Sequence, residues 1–111
     1  MNTIYLPEIK ALCNMLLMAG IPFSFDRISP MEGFHVCYPS SNDVVCSIIC
    51  HKSSYGHEKG LLEIMGLVGI KYDMVEGYLT AEEVFKRIQN HWESSEDHNR
   101  NKFVSFREDK K

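Results

Sequence analysis

Residues 44–67, VVCSIICHKSSYGHEKGLLEIMGL, run from an apolar segment into a dense polar loop and back to an apolar segment. Val44 to Cys50 is rich in β-branched side chains and lies between Ser-Ser-Asn-Asp and Lys-Ser-Ser, so it reads as a strand. Side-chain alternation puts Val44, Cys46, Ile48 and Cys50 on one face, and Val45, Ser47, Ile49 and His51 on the other. Both faces are apolar, so cover is expected on each from helices, a second layer or a partner subunit. The connection that follows crowds His51, Lys52, Ser53, Ser54, Tyr55, His57, Glu58 and Lys59 between flexible points at Gly56 and Gly60. If the chain has a site, it is placed here.

Upstream, Leu6 to Ala19 has helical periodicity, with Ile9, Leu12, Leu16 and Ala19 on one stripe flanked by Cys13 and Leu17. Pro7 suits the first helical position and Gly20 the left-handed residue just past the end. Ile21 to Ile28 alternates, with Phe23 and Phe25 on one face and Ser24 and Asp26 on the other, as a half-buried strand does. A turn at Ser29 to Gly33 leads into a second strand, in which Phe34, Val36 and Tyr38 alternate with His35 and Cys37 and which Pro39 is expected to end. Ser40 to Asp43 is a short hairpin connection, so this strand should pair antiparallel with the Val44 strand. The result is a three-stranded antiparallel meander with its most apolar strand last.

Downstream, Leu61, Leu62, Ile64, Met65 and Leu67 fit either a short helix or a strand, and a short helix ended by Gly66 or Gly69 is preferred. Gly69 to Gly77 reads as a polar connection with Tyr72, Met74 and Val75 as anchors. Thr80-Ala81-Glu82-Glu83 is a capping box, and the helix behind it would bury Val84, Phe85, Ile88 and Trp92. His91 would sit in its final turn, favourable to the helix dipole. Glu93 to Lys102 has almost no apolar residue to offset the entropy of ordering, so residues 93–111 are expected to form a mobile polar tail, with Phe103 to Phe106 either docked as an edge strand or disordered. The fold class is therefore α+β in one domain, residues 1–92, with an N-terminal helix, the meander, a short helix or strand and a C-terminal helix. No internal repeat or second core divides it.

The 111 residues are 44% hydrophobic, enough for one core. A net charge of -3, with the 12 Lys and Arg spread along the chain, disfavours duplex nucleic acid as a partner. No apolar run approaches the roughly 20 residues of a membrane span and no secretory leader opens the chain, so a cytoplasmic protein is expected. Cys13, Cys37, Cys46 and Cys50 each sit in an apolar element and read as reduced, mostly buried thiols. A zinc site among Cys46, Cys50, His51 and His57 conflicts with strand geometry. Residues four apart on a strand lie about 13 Å apart, whereas zinc-bound sulfurs sit within roughly 4 Å of each other. No metal or cofactor is expected.

The candidate binding residues are His51, Lys52, Ser54, Tyr55, His57, Glu58 and Lys59. A catalytic role would use His51 or His57 as general base, Tyr55 as proton donor and Glu58 as the orienting carboxylate. No phosphate loop, nucleophile elbow, dinucleotide fingerprint or His-Glu-x-x-His accompanies them, and such a loop is more often a solvated turn than a catalytic centre. Binding needs less, because converging donors and an aromatic ring require no activated nucleophile. The donors suit an anionic group, and Tyr55 or Tyr72 could stack on a base, which makes a nucleotide-like molecule the leading small ligand.

The segments AGIPFSF, GFHVCYPS, CSIICHKSSYGHEKGLLEIMGL and GYLTAEEVFKRIQNHWE resemble a family of small proteins encoded by phages and prophages of Gram-positive bacteria. The resemblance covers about Pro7 to Glu93, and its specific parts are the SYG loop with LLEIMGL, and GYLTAEEVF. Residues 68–74 depart from the acidic stretch of such proteins. The family carries no assigned enzyme activity or cofactor, so the resemblance implies provenance and transfers no catalytic residue. With that provenance, a small, acidic, motif-poor domain is expected to be a phage accessory protein acting in the host cytoplasm by stoichiometric binding of a host protein or a small anionic ligand, and host-defence antagonism would follow if that ligand were a host immune signalling nucleotide. The alternative is a small enzyme acting on a phosphorylated or nucleotide substrate through His51 to Gly60. A second copy of the chain is one expected cover for the sheet's second face.

Overall fold

Two helices and a five-stranded antiparallel sheet make up the computed structural model, which describes residues 3–28, 32–69 and 74–107, and side chains to residue 95. The helices are α1 (Pro7–Ala19) and α2 (Ala81–Arg107), and the strands β1 (Ser24–Arg27), β2 (Gly33–Ser40), β3 (Asp43–His51), β4 (Leu62–Met65) and β5 (Val75–Leu79). The strands lie side by side in sequence order, each antiparallel to the next. The meander is thus extended from three strands to five.

Register explains the core. Phe34 lies opposite Cys50, Tyr38 opposite Cys46, and Val36, Ile48 and Ile64 form one row across three strands. All of these are buried, together with Ile9, Leu12 and Leu16 of α1 and Val84 and Ile88 of α2. Both helices therefore cover the same face. The second face carries His35, Ser47, Ile49, Glu63 and Met65, all partly exposed, so β3 is fully buried on one side only.

The helix preferred at Leu61 to Leu67 is instead β4. Leu62 and Ile64 are fully buried while Glu63 and Met65 are half-buried, a period of two rather than 3.6. Gly60 and Gly66, at φ 70° and 93°, bracket a segment too short for a helix. Each of the two buried side chains contributes roughly 1.5–3 kcal/mol through removal of its surface from water. The polar connection expected before Gly77 yields β5, whose Leu79 pairs with Leu62 and whose Val75 pairs with Met65. The Tyr72 anchor and the turn residues Ser29 to Met31 fall outside the described residues. Pro39 does not end β2: the register shifts between Tyr38 and Pro39, and the strand continues to Ser40 opposite Asp43.

The start of α2 is fixed at three amides. Glu83 N donates to Thr80 Oγ1 at 3.2 Å, and Thr80 N donates to Glu83 Oε1 at 2.9 Å, closing the capping box. Ala81 N donates to Glu8 Oε1 at 2.6 Å, so a carboxylate from the first turn of α1 caps α2 from outside. α2 then runs through residues 93–107, where a polar tail was expected. Residues 81–107 contain neither Gly nor Pro, and once a helix is nucleated each added residue fixes one further hydrogen bond. His91 accordingly lies within the helix rather than in its final turn. It is joined to the buried Tyr38 hydroxyl through Nδ1 at 2.7 Å, the rings meeting edge-on. Among the described residues no helix is long and apolar enough to cross a membrane.

Candidate binding surface

The His51 to Gly60 segment is the connection between β3 and β4, and its polar groups divide into those that build the loop and those that face outward. Ser54 builds it. At 2% exposure its hydroxyl donates to the His51 carbonyl at 2.9 Å and accepts from the His51 amide at 3.0 Å. Such reciprocal bonding satisfies a polar group that would otherwise be costly to bury. His51 Nδ1 accepts from the Ser53 amide at 3.0 Å. Burial pushes the His51 pKa down, with the Glu63 carboxylate pulling the other way, so the imidazole favours its neutral form.

The loop leans on β5. Tyr78 N donates to the Tyr55 carbonyl at 3.3 Å, and Tyr55 N donates to Glu63 Oε1 at 2.7 Å. This approach needs glycine on both sides. Gly56 has φ 98°, and a Cβ there would meet the Tyr78 amide nitrogen at 2.9 Å; a Cβ at Gly77 would collide with Tyr55 Cβ. Tyr78 itself is held at φ 61°, a left-handed conformation that costs a non-glycine residue of order 1–3 kcal/mol and persists only where the surroundings fix it. Its hydroxyl donates to Glu58 Oε2 at 2.6 Å. That bond lowers the Glu58 pKa and raises that of Tyr78.

Among the candidate residues, the structure brings Ser54 to His51, and the Tyr55 main chain to Glu63 and Tyr78. The Glu58 carboxylate meets Tyr78 rather than a histidine. His57 begins a single 3-10 turn, His57–Lys59, and its ring lies 6.2 Å from that of Tyr5. Lys52 and Lys59 are exposed. Tyr55 and Tyr78 stand outward at 64% and 51% exposure, with the exposed Met74 and Val75 at the head of β5. No protein-family profile, curated protein or solved structure matches the chain.

Tyr78, Glu63 and Tyr5 were absent from the sequence-derived candidates. Tyr78 was visible only as an aromatic beside a glycine, because its position depends on β5. His35 and Cys37 also meet on the second face, Sγ to Nε2 at 3.3 Å. Cys37 is buried, and burial pushes its thiol up, the opposite of what an activated nucleophile requires. Among the described residues, no three of His, Cys, Asp and Glu gather where one metal ion could bind them.

Proposed function

We propose that the chain is a non-enzymatic binding module that grips a partner protein through Tyr55, Tyr78 and the His51 to Gly60 loop. The observation that carries this reading is the exposure of two tyrosines whose backbones are tied together by a hydrogen bond and by the close approach of Gly77. Tyrosine supplies large, amphipathic contact area with few rotamers to freeze, and it is enriched among residues that dominate interface energetics. In the phage setting that the resemblance implies, the partner is a host protein and the consequence is antagonism of a host defence.

A photo-crosslinking residue at position 55 in otherwise intact protein tests this in lysate of a Gram-positive host. The expected result is an adduct with one protein, absent when the crosslinker is moved to Lys86 on the wet face of α2. A uniform smear at both positions, or no adduct at either, contradicts it.

The exposed Lys52 and Lys59 on the same loop as the exposed Tyr55 support a second reading, an anionic nucleotide-like ligand with phosphate on the lysines and base on the ring. Thermal shift over common and cyclic nucleotides separates the two, since stabilisation approaches roughly 2.7 kcal/mol at a hundredfold excess over the dissociation constant. The enzymatic alternative has less support, because Glu58, the carboxylate needed to orient a histidine, is bonded to Tyr78. Homodimerisation through the second sheet face belongs to the same proposal, and a monomer mass by light scattering across micromolar concentrations would remove it.

A further inference from the structure

Helix α1 carries two apolar lines. Ile9, Leu12 and Leu16 face the core, whereas Leu6, Lys10, Cys13 and Leu17 follow a neighbouring line at three- and four-residue spacing. Phe25 of β1, the edge strand of the sheet, and Phe23 just before it approach that second line, and between helix and strand lies an open groove of ≈ 290 Å³ lined by these six residues. Phe25 is stacked on Phe34, ring centroids 5.7 Å apart, which fixes the groove's floor. Leu17 and Phe25 remain 66% and 45% exposed, so this side of the molecule has apolar surface that the fold does not use.

The walls are hydrocarbon and one thiol, and the single charged group is Lys10, exposed and without a salt bridge among the described residues. We propose that this groove binds an anionic amphiphile, a saturated acyl carboxylate of medium length, with its chain along Phe23 and Phe25 and its carboxylate at Lys10. The volume is close to the lower end of the roughly 300–1,000 Å³ of small-molecule clefts. A ligand with polar groups along its length would leave them unpaired against carbon, at a cost that a plain chain avoids. A cationic head would be repelled by Lys10, whereas a carboxylate is attracted and can accept from its ammonium.

Cys13 reports occupancy, because it lines the groove and is the one cysteine of the four that is not buried. The experiment follows the rate at which a small maleimide labels Cys13 in the full-length protein, with octanoate, decanoate or dodecanoate present below their micellar concentrations. Protection is expected to strengthen with each added methylene, by at most the roughly fourfold that a fully buried methylene gives. Dodecanol should protect about two- to fivefold less well than dodecanoate, the range an exposed ion pair supplies, and Lys10→Gln should bring dodecanoate down to the level of dodecanol while leaving dodecanol unchanged. No protection at any chain length overturns the proposal, as does equal protection by acid and alcohol. Cys13 shielded without ligand, in a species of twice the monomer mass, also overturns it and assigns the groove to a second copy of the chain.

Discussion

The Tyr78 hydroxyl donates to the Glu58 carboxylate over 2.6 Å and so ties β5 to the loop between β3 and β4. Glu58 has its pKa lowered chiefly by this bond, and Tyr78 has its pKa raised by it. A lowered carboxylate pKa means the contact is fully present above the ordinary carboxylate range and is lost as pH falls through the lowered value. Glu58→Gln should therefore shift the Tyr78 phenol titration downward. Carbon-13 chemical shifts of the tyrosine Cζ measure this directly, and an unmoved titration would show that the bond is not formed in solution.

His51 makes a second pH prediction. Its pKa is lowered by burial, so the folded state prefers the neutral ring and the unfolded state binds the proton more readily. The stability due to this preference is complete above the ordinary histidine value of about 6.5 and declines as pH falls below it towards the lowered one. Urea midpoints of wild type and His51→Gln between pH 7.5 and 5 should converge as the medium acidifies. A constant gap between them would contradict the assignment.

Strand β4 is tested by unequal costs along its length. Ile64→Ala should destabilise by about 2–5 kcal/mol, because it empties a fully buried position between Ile48 and the helices. Met65→Ala, on the partly exposed face, should cost clearly less. Equal losses in urea unfolding would fit a helix better than a strand.

The external cap on α2 predicts a loss at a residue remote in sequence. Thr80→Ala should cost about 1 kcal/mol through the capping box. Glu8→Ala, 73 positions from Ala81, should cost a similar amount by orphaning the Ala81 amide. Amide exchange of Ala81 should rise in Glu8→Ala, while that of Val84, which donates to the Thr80 carbonyl, should not.

How far the sequence could be read follows from how local each signal is. The periodicity of α1, the alternation of β2 and β3 and the Thr80 to Glu83 capping box are all local, and each element is found where it was read, although the strands run on past Pro39 to Ser40 and from Asp43 and so shorten the expected connection. β4 is four residues between glycines, a length at which apolar content alone does not separate strand from helix. β5 is harder still: Gly77 and the left-handed Tyr78 break its alternation, and its identity as a strand comes from pairing with β4. The site inherits that difficulty. A polar connection was evident from Lys52 to Lys59, but the inward turn of Ser54 and the partnership of Glu58 with Tyr78 rest on a strand that no local pattern announces. The long α2 escaped for another reason, since composition measures what a segment can bury and not the small cost of extending a helix already begun.

The central claim, that Tyr55 and Tyr78 together form the contact surface, is tested most directly by the double variant Tyr55→Ala/Tyr78→Ala. Affinity for the host protein crosslinked at position 55 should fall at least tenfold relative to wild type, with the melting temperature held within a few degrees and Lys86→Ala unaffected. Unchanged affinity in the folded double variant would contradict the account.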